Sequence, residues 1–195
     1  MWRSYKDYKH AFILETLYPA LKADYEEWMQ RHIVRRDSVN VFRYEYPGAN
    51  HQYADSWWAV PIAQAGEIVP DNQWNRTSAI VKKLPGLFQC IINFIEPNGG
   101  LPMHRDMGSW SRIEQGLKRK VTGWTVGIGI DMPSKDYKEL AIKFFDDDIG
   151  TCYGNGEIVC FDGRNHLHEV WNKTDKWRVS AVIDLDDTEF KNVVR

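Results

Sequence analysis

The sequence has almost no net charge, no paired-cysteine spacing and no long apolar run. Its 25 Lys and Arg stand against 27 Asp and Glu, a formal charge of −2. No block of Lys or Arg interrupts that balance, so nothing recruits nucleic acid or an anionic membrane by bulk electrostatics. The three cysteines, Cys90, Cys152 and Cys160, cannot all pair, and none stands in a Cys-x-x-Cys spacing. That argues against a disulfide framework and a zinc finger, and fits a reducing compartment with each thiol buried as a small hydrophobe. No stretch approaches the ~18 apolar residues needed to span a bilayer. Met1–Asp7 carries charges where a secretory leader needs an apolar run, so the expectation is a cytoplasmic protein with no membrane partner. Gly, Pro and Ser are scattered, without a flexible linker, and no internal repeat is evident.

What is present fits one domain over residues 1–195. The chain is 43% hydrophobic and 27% charged, long enough to bury a core. Nine Trp, nine Tyr and eight Phe favour a β-rich core or an aromatic-lined pocket. Residues from about Ser4 to Arg31 read as helix, with Tyr8, Phe12, Leu14, Leu17, Leu21, Tyr25 and Trp28 recurring near helical spacing. Pro19 is expected to open a second helix there. From about Ser38 the period changes to two, and Val39–Tyr46 reads as a strand closed by Pro47-Gly48. Asp71–Lys83 reads as a short helix with Asp71 as N-cap. Strands are expected at Trp57–Val60, Leu87–Glu96, Trp124–Ile130, Leu140–Phe145, Glu157–Phe161, Leu167–Trp171 and Trp177–Leu185. Helices first and many short strands after them predict a mainly β fold with flanking helices (α+β). The expected form is a double-stranded β-helix, or cupin-like jelly roll, over residues 38–187 with the helices of 4–31 packed on it.

Two segments carry chemistry. In Met103-His104-Arg105-Asp106-Met107-Gly108, His104 and Asp106 stand two apart after a Gly-rich turn. In an extended segment they face the same side, where an imidazole and a carboxylate can share a metal. Many chains contain a His-x-Asp by chance, so the pair alone decides nothing. The second segment is Phe161–Asn172, in which His166 and His168 share one face of an expected strand. Ten residues past His168, Arg178 stands inside the apolar run Trp177–Leu185. A buried guanidinium needs a counter-charge. Either an internal Asp or Glu provides it, or its planar fork receives a carboxylate ligand. Taken together, two His and one carboxylate form a facial triad that suits non-haem Fe(II) binding a co-substrate and then dioxygen.

The run from about Leu84 to Asp187 resembles the aspartyl/asparaginyl β-hydroxylase-like family of Fe(II)/2-oxoglutarate oxygenases. The distal signature, Phe161-Asp162-Gly163, then His168-Glu169-Val170-Trp171-Asn172 and Arg178, is the specific part. Asn93 through Pro97 to His104 is similar to the family's strand, turn and proximal His. The resemblance covers about half the chain. It implies His104, Asp106 and His168 as ligands of Fe(II), and Arg178 and Asn93 around the distal carboxylate of 2-oxoglutarate. His166 has no counterpart and reads as a surface residue or a neighbour of the ligands. Asp106 distinguishes this chain from the best-studied aspartyl hydroxylases, which lack an acid there, and favours hydroxylation over halogenation. Gly123 and Thr125 replace an Arg and a His on the strand after the proximal motif. Thr125, with Arg119 and Lys120, is therefore a candidate for the cosubstrate's other end. The implied enzyme oxidises a small-molecule substrate, such as an amino acid, or an Asp, Asn or Pro residue. Trp57, Trp58, Trp74, Trp110, Trp124 and Arg43 are candidates for its pocket. Two other readings remain: a cupin-like enzyme with another metal and reaction, and a non-catalytic jelly-roll binding module.

Overall fold

The computed structural model describes residues 2–32, 56–106, 123–146 and 148–191. The strand expected over 39–46, together with Arg43, Trp110, Arg119 and Lys120, lies outside these residues. After a 3-10 turn at Tyr5–Asp7 come α1 (Ala11–Glu15) and α2 (Leu17–His32). The break between them is Thr16, whose hydroxyl donates back to the Ile13 carbonyl at 2.8 Å. Pro19 falls in the first turn of α2, where its missing N–H has no intrahelical acceptor to lose. Leu17, Leu21, Tyr25 and Trp28 form one buried face of α2. Five residues cannot hold a helix unaided, so α1 depends on packing Leu14. Phe12 departs from the expected face and is 64% exposed, because the break at Thr16 puts α1 out of phase with α2.

Helix α3 (Asn75–Val81) is shorter than expected, and Asp71 is not its cap. Asp71 occupies a left-handed turn, φ +59°, well ahead of the first helical residue. The cap comes instead from α2: buried Asp24 accepts the Thr77 N–H at 2.7 Å and an Arg76 N–H at 2.9 Å.

Eleven strands form two antiparallel sheets among the described residues. They are β1 (Trp2–Arg3), β2 (Trp57–Gln64), β3 (Glu67–Ile68), β4 (Leu87–Ile95), β5 (Gly99–His104) and β6 (Gly123–Asp131). The rest are β7 (Leu140–Phe144), β8 (Ile149–Thr151), β9 (Ile158–Phe161), β10 (His168–Asn172) and β11 (Arg178–Asp186). The major sheet runs β1-β9-β6-β11-β4-β2-β3 and the minor sheet β5-β10-β7-β8. Strand alternation divides the major sheet cleanly. Cys90, Ile92 and Phe94, Val126, Ile128 and Ile130, and Val179, Ala181 and Ile183 join the helices in one core. Ile91, Ile95 and Phe161 on the opposite face join Leu101, Ile142, Phe144 and Val170 of the minor sheet in a second. The architecture is thus the expected jelly roll with helices on one side. The inward positions that are not apolar are Asn93, Thr125, Arg178, Ser180 and Asp184 on the major sheet and His168 and Asn172 on the minor, all buried.

Because Asp24 satisfies a backbone donor at the start of α3, Asp24→Ala is expected to lower the unfolding free energy by about 1–3 kcal/mol. Arg76→Ala removes only a solvent-screened partner and is expected to cost less than Asp24→Ala. Urea denaturation of the two variants separates these terms, and equal losses would assign the stabilisation to the ion pair instead.

Candidate metal centre

Register brings the two motifs together. Strand β10 pairs with β5 so that His168 stands opposite His104, with ring centroids 4.3 Å apart. His168 also stacks on Phe144 at 5.1 Å, which fixes its plane. Asp106 lies just past the end of β5, and its N–H donates to the Gly163 carbonyl at 2.9 Å. Its Oδ1 is 3.6 Å from His104 Nε2 and 3.5 Å from His168 Nε2. Gly163 is required here, because a Cβ would fall 2.0 Å from Asp106 Oδ2.

The donor set fits a divalent transition ion. The Nδ1–H of His104 donates to the Pro102 carbonyl at 2.6 Å, and that of His168 to the His166 carbonyl at 3.1 Å. Both backbone bonds leave Nε2 as the lone-pair nitrogen, turned to the same point as the carboxylate. The three side chains form a group whose ligand atoms all lie within 4.8 Å of one another. Burial opposes the charge on Asp106, but His168, His104 and Arg164 outweigh it and hold the carboxyl well below the usual carboxylate range. Burial depresses His168 against the pull of Asp106, so its imidazole is neutral at neutral pH. The same burial acts on His104, where Asp106 and the Pro102 carbonyl overcome it and raise the pKa.

Arg178 is buried between the sheets. Its Nη1 donates to the carbonyls of Ala141 at 2.9 Å and Trp171 at 3.1 Å, and its Nη2 to the Tyr153 hydroxyl at 3.5 Å. Gly127 leaves room for that tyrosine, since a Cβ there would approach its hydroxyl to 3.1 Å. Among the described residues no carboxylate forms a salt bridge with Arg178, and its Nε is buried without a partner. Asn93 and Ser180 face each other across β4 and β11, two positions along from Arg178, and Asn93 Oδ1 is likewise buried without a partner. Asn172 holds this end of the fold, its Nδ2 within 3.2 Å of the carbonyls of Ile95, Glu96 and Lys176.

Thr125 lies on the other side of the triad from Arg178. Its hydroxyl lies 2.9 Å from Asp184 Oδ1 and 3.4 Å from Asp106 Oδ2, with one proton shared between the two acceptors. Asp184 in turn pairs with Arg164 at 3.1 Å, both side chains at least nine-tenths buried. Arg164 lies over Gly123, where a Cβ would meet its Nη1 at 2.7 Å. The expected arginine at Gly123 is therefore replaced in space by one from another segment. Arg164, Asp184, Ser180 and Tyr153 were not singled out from the sequence. Asp184 and Ser180 carried a signal, the same inward parity as Arg178 on one strand. Tyr153 and Arg164 carried none. His166 is outside the triad, bonded through Nδ1 to Asp146 at 2.5 Å. Of the candidate pocket tryptophans, Trp57 lines the inter-sheet core, whereas Trp74 and Trp124 pack in the helix-side core.

The family model described as Aspartyl/Asparaginyl beta-hydroxylase matches residues 16–188. An ornithine lipid ester-linked acyl 2-hydroxylase of Rhizobium tropici is 28% identical over 181 residues, 88% of this chain and 55% of the relative. The chain thus spans little more than half the length of that protein. Among solved structures, AviO1 of Streptomyces viridochromogenes superposes with a TM-score of 0.52 at 14% identity, covering 91% of this chain and 87% of its own. A prolyl-4-hydroxylase of Pseudomonas putida gives 0.51 at 11% identity, covering 88% of each. At these identities the superpositions establish the fold.

A metal must displace any proton on His104 Nε2, and the His104 pKa is raised, so apparent Mn(II) affinity is expected to rise with pH through and above the ordinary imidazole range. Asp106, already ionised, contributes nothing to that slope. Isothermal titration at several pH values measures it, and a flat profile would remove His104 from the ligand set.

Proposed function

The chain belongs to the aspartyl/asparaginyl β-hydroxylase family, and from that premise we propose that it is a hydroxylase using Fe(II), 2-oxoglutarate and dioxygen. The observation that carries the reading is Arg178, a buried cation with no carboxylate partner among the described residues. Such a charge is costly unless an anion meets it. The Trp171 carbonyl that it binds is three residues from His168, about 10 Å along the strand. That separation suits a dicarboxylate with one end at the metal and the other on the guanidinium. Asn93 and Ser180 would complete the distal carboxylate's site.

Iron held by His104, Asp106 and His168 would supply the oxidation chemistry, in which 2-oxoglutarate and dioxygen yield succinate, carbon dioxide and a hydroxylated substrate. The protein's part is positional. The carbonyls of Pro102 and His166 orient the imidazoles, and Phe144 and Phe161 shield His168 from water. Asp106 takes the position that a halide would need, which favours hydroxylation over halogenation. The substrate is a small molecule, with a free amino acid as the first class. A second class, an acyl chain, is favoured by the named activity of the Rhizobium tropici relative. No helix among the described residues is long and apolar enough to cross a membrane.

Succinate release over a panel of free amino acids, short peptides and dispersed ornithine lipid tests the reading. Substrate-dependent release with one class supports it, and no iron-dependent consumption of 2-oxoglutarate with any class contradicts it. Arg178→Lys retains the charge and loses the fork. It is expected to weaken 2-oxoglutarate binding at least about tenfold while Mn(II) affinity changes little. Equal loss of both would remove Arg178 from the cosubstrate site.

A further inference from the structure

We propose that Thr125 is a positioning residue which, braced by Asp184 and Arg164, holds Asp106 so that only Oδ1 meets the metal. The proposal rests on the reading of the triad as an iron site. It answers a constraint of coordination number. Two imidazoles and one carboxylate oxygen fill three positions of an octahedral ion. A chelating 2-oxoglutarate would need two of the other three. If Asp106 chelated through both oxygens, its second oxygen would occupy one of the remaining three positions and compete with 2-oxoglutarate for it.

The structure constrains both faces of that carboxylate. Oδ1 points to the two Nε2 atoms, and Oδ2 points away from them to the Thr125 hydroxyl at 3.4 Å. Behind Oδ2 the Gly163 α-carbon approaches so closely that no side chain fits there. Rotation of Asp106 into a chelating pose would therefore take Oδ2 away from its hydroxyl partner. Thr125 is itself immobile. It is 1% exposed, paired across β6 with Asp184 and with Phe161, and β-branched. Its hydroxyl is anchored at 2.9 Å to Asp184, and Asp184 is anchored at 3.1 Å to Arg164. Arg164 follows Gly163 directly, so the turn that flanks Asp106 on one side also supplies the cation that braces its other side.

The test compares Thr125→Val, which keeps the shape and removes the hydroxyl, with Thr125→Ser, which keeps the hydroxyl. Mn(II) affinity, 2-oxoglutarate affinity of the Mn(II)-loaded protein, and unfolding temperature are measured for each. In Thr125→Val, Mn(II) affinity is expected to stay within about threefold of the parent, while 2-oxoglutarate affinity falls about tenfold or more. Thr125→Ser is expected to restore the second affinity. Parallel loss of both affinities with a lowered unfolding temperature would make Thr125 merely structural and overturn the proposal. No change in either affinity, loss of metal alone, or failure of Ser to rescue would also overturn it. If the parent chain binds Mn(II) and Thr125→Val is indistinguishable from it, the positioning role alone fails. If the parent binds no Mn(II), the iron-site reading fails first.

Discussion

Strand β10 lies antiparallel beside β5 with His168 opposite His104, and the other parts of the centre are referred to that pair. The register determines where Asp106 falls, two residues on, once the strand has ended. It also determines that the turn after β9 closes over the carboxylate, because the Asp106 N–H bonds to Gly163. Such a register holds only where one strand face is committed to an apolar interior. Leu101, Ile142, Phe144 and Val170 provide that commitment from the minor sheet. A slip of one residue would send His168 to solvent and Glu169 into the core.

An interior that takes two histidines, two aspartates, two arginines and two asparagines is expensive to assemble, since each buried charge loses its hydration. The chain offsets this in two ways. Helices α1–α3 cover the outer face of the major sheet, so a second core stabilises the same strands from behind. Inside, the charges are arranged in contact with one another or with carbonyl dipoles: Asp106 with the two imidazoles, Asp184 with Arg164, and Arg178 with Ala141 and Trp171. Among the described residues Arg178 is the member whose compensation lacks an anion. That asymmetry is what supports its proposed place as a cosubstrate anchor.

Much of this was legible in the sequence where the pattern was strong and local. The apolar and aromatic runs of β4, β6, β7, β9 and β11, bounded by turn residues, read as strands, and the spacing of His104 and Asp106 and of His168 and Arg178 pointed to the centre. Strand β5 was hidden by Gly99 and Gly100, which read as a turn. Their role is close approach: a Cβ on Gly100 would meet the Val170 carbonyl at 2.5 Å. The start of α3 was misjudged because its cap, Asp24, belongs to a helix some fifty residues earlier. Arg164 was invisible for the same reason. It lies in a polar loop, and only the fold lays it over Gly123. The family match, too, begins earlier than the motifs suggested, within the helical region that packs on the major sheet rather than at β4.

The account stands on one metal ion held by three side chains from two paired strands and the residues that follow. Equilibrium binding of Mn(II) to the parent chain and to His104→Ala, Asp106→Ala and His168→Ala is its most direct measurement. One ion per chain in the parent, with affinity reduced about tenfold or more in each variant and unfolding temperatures little changed, is the predicted result. Full retention of the ion by any two of the variants, or no ion bound by the parent, would contradict it.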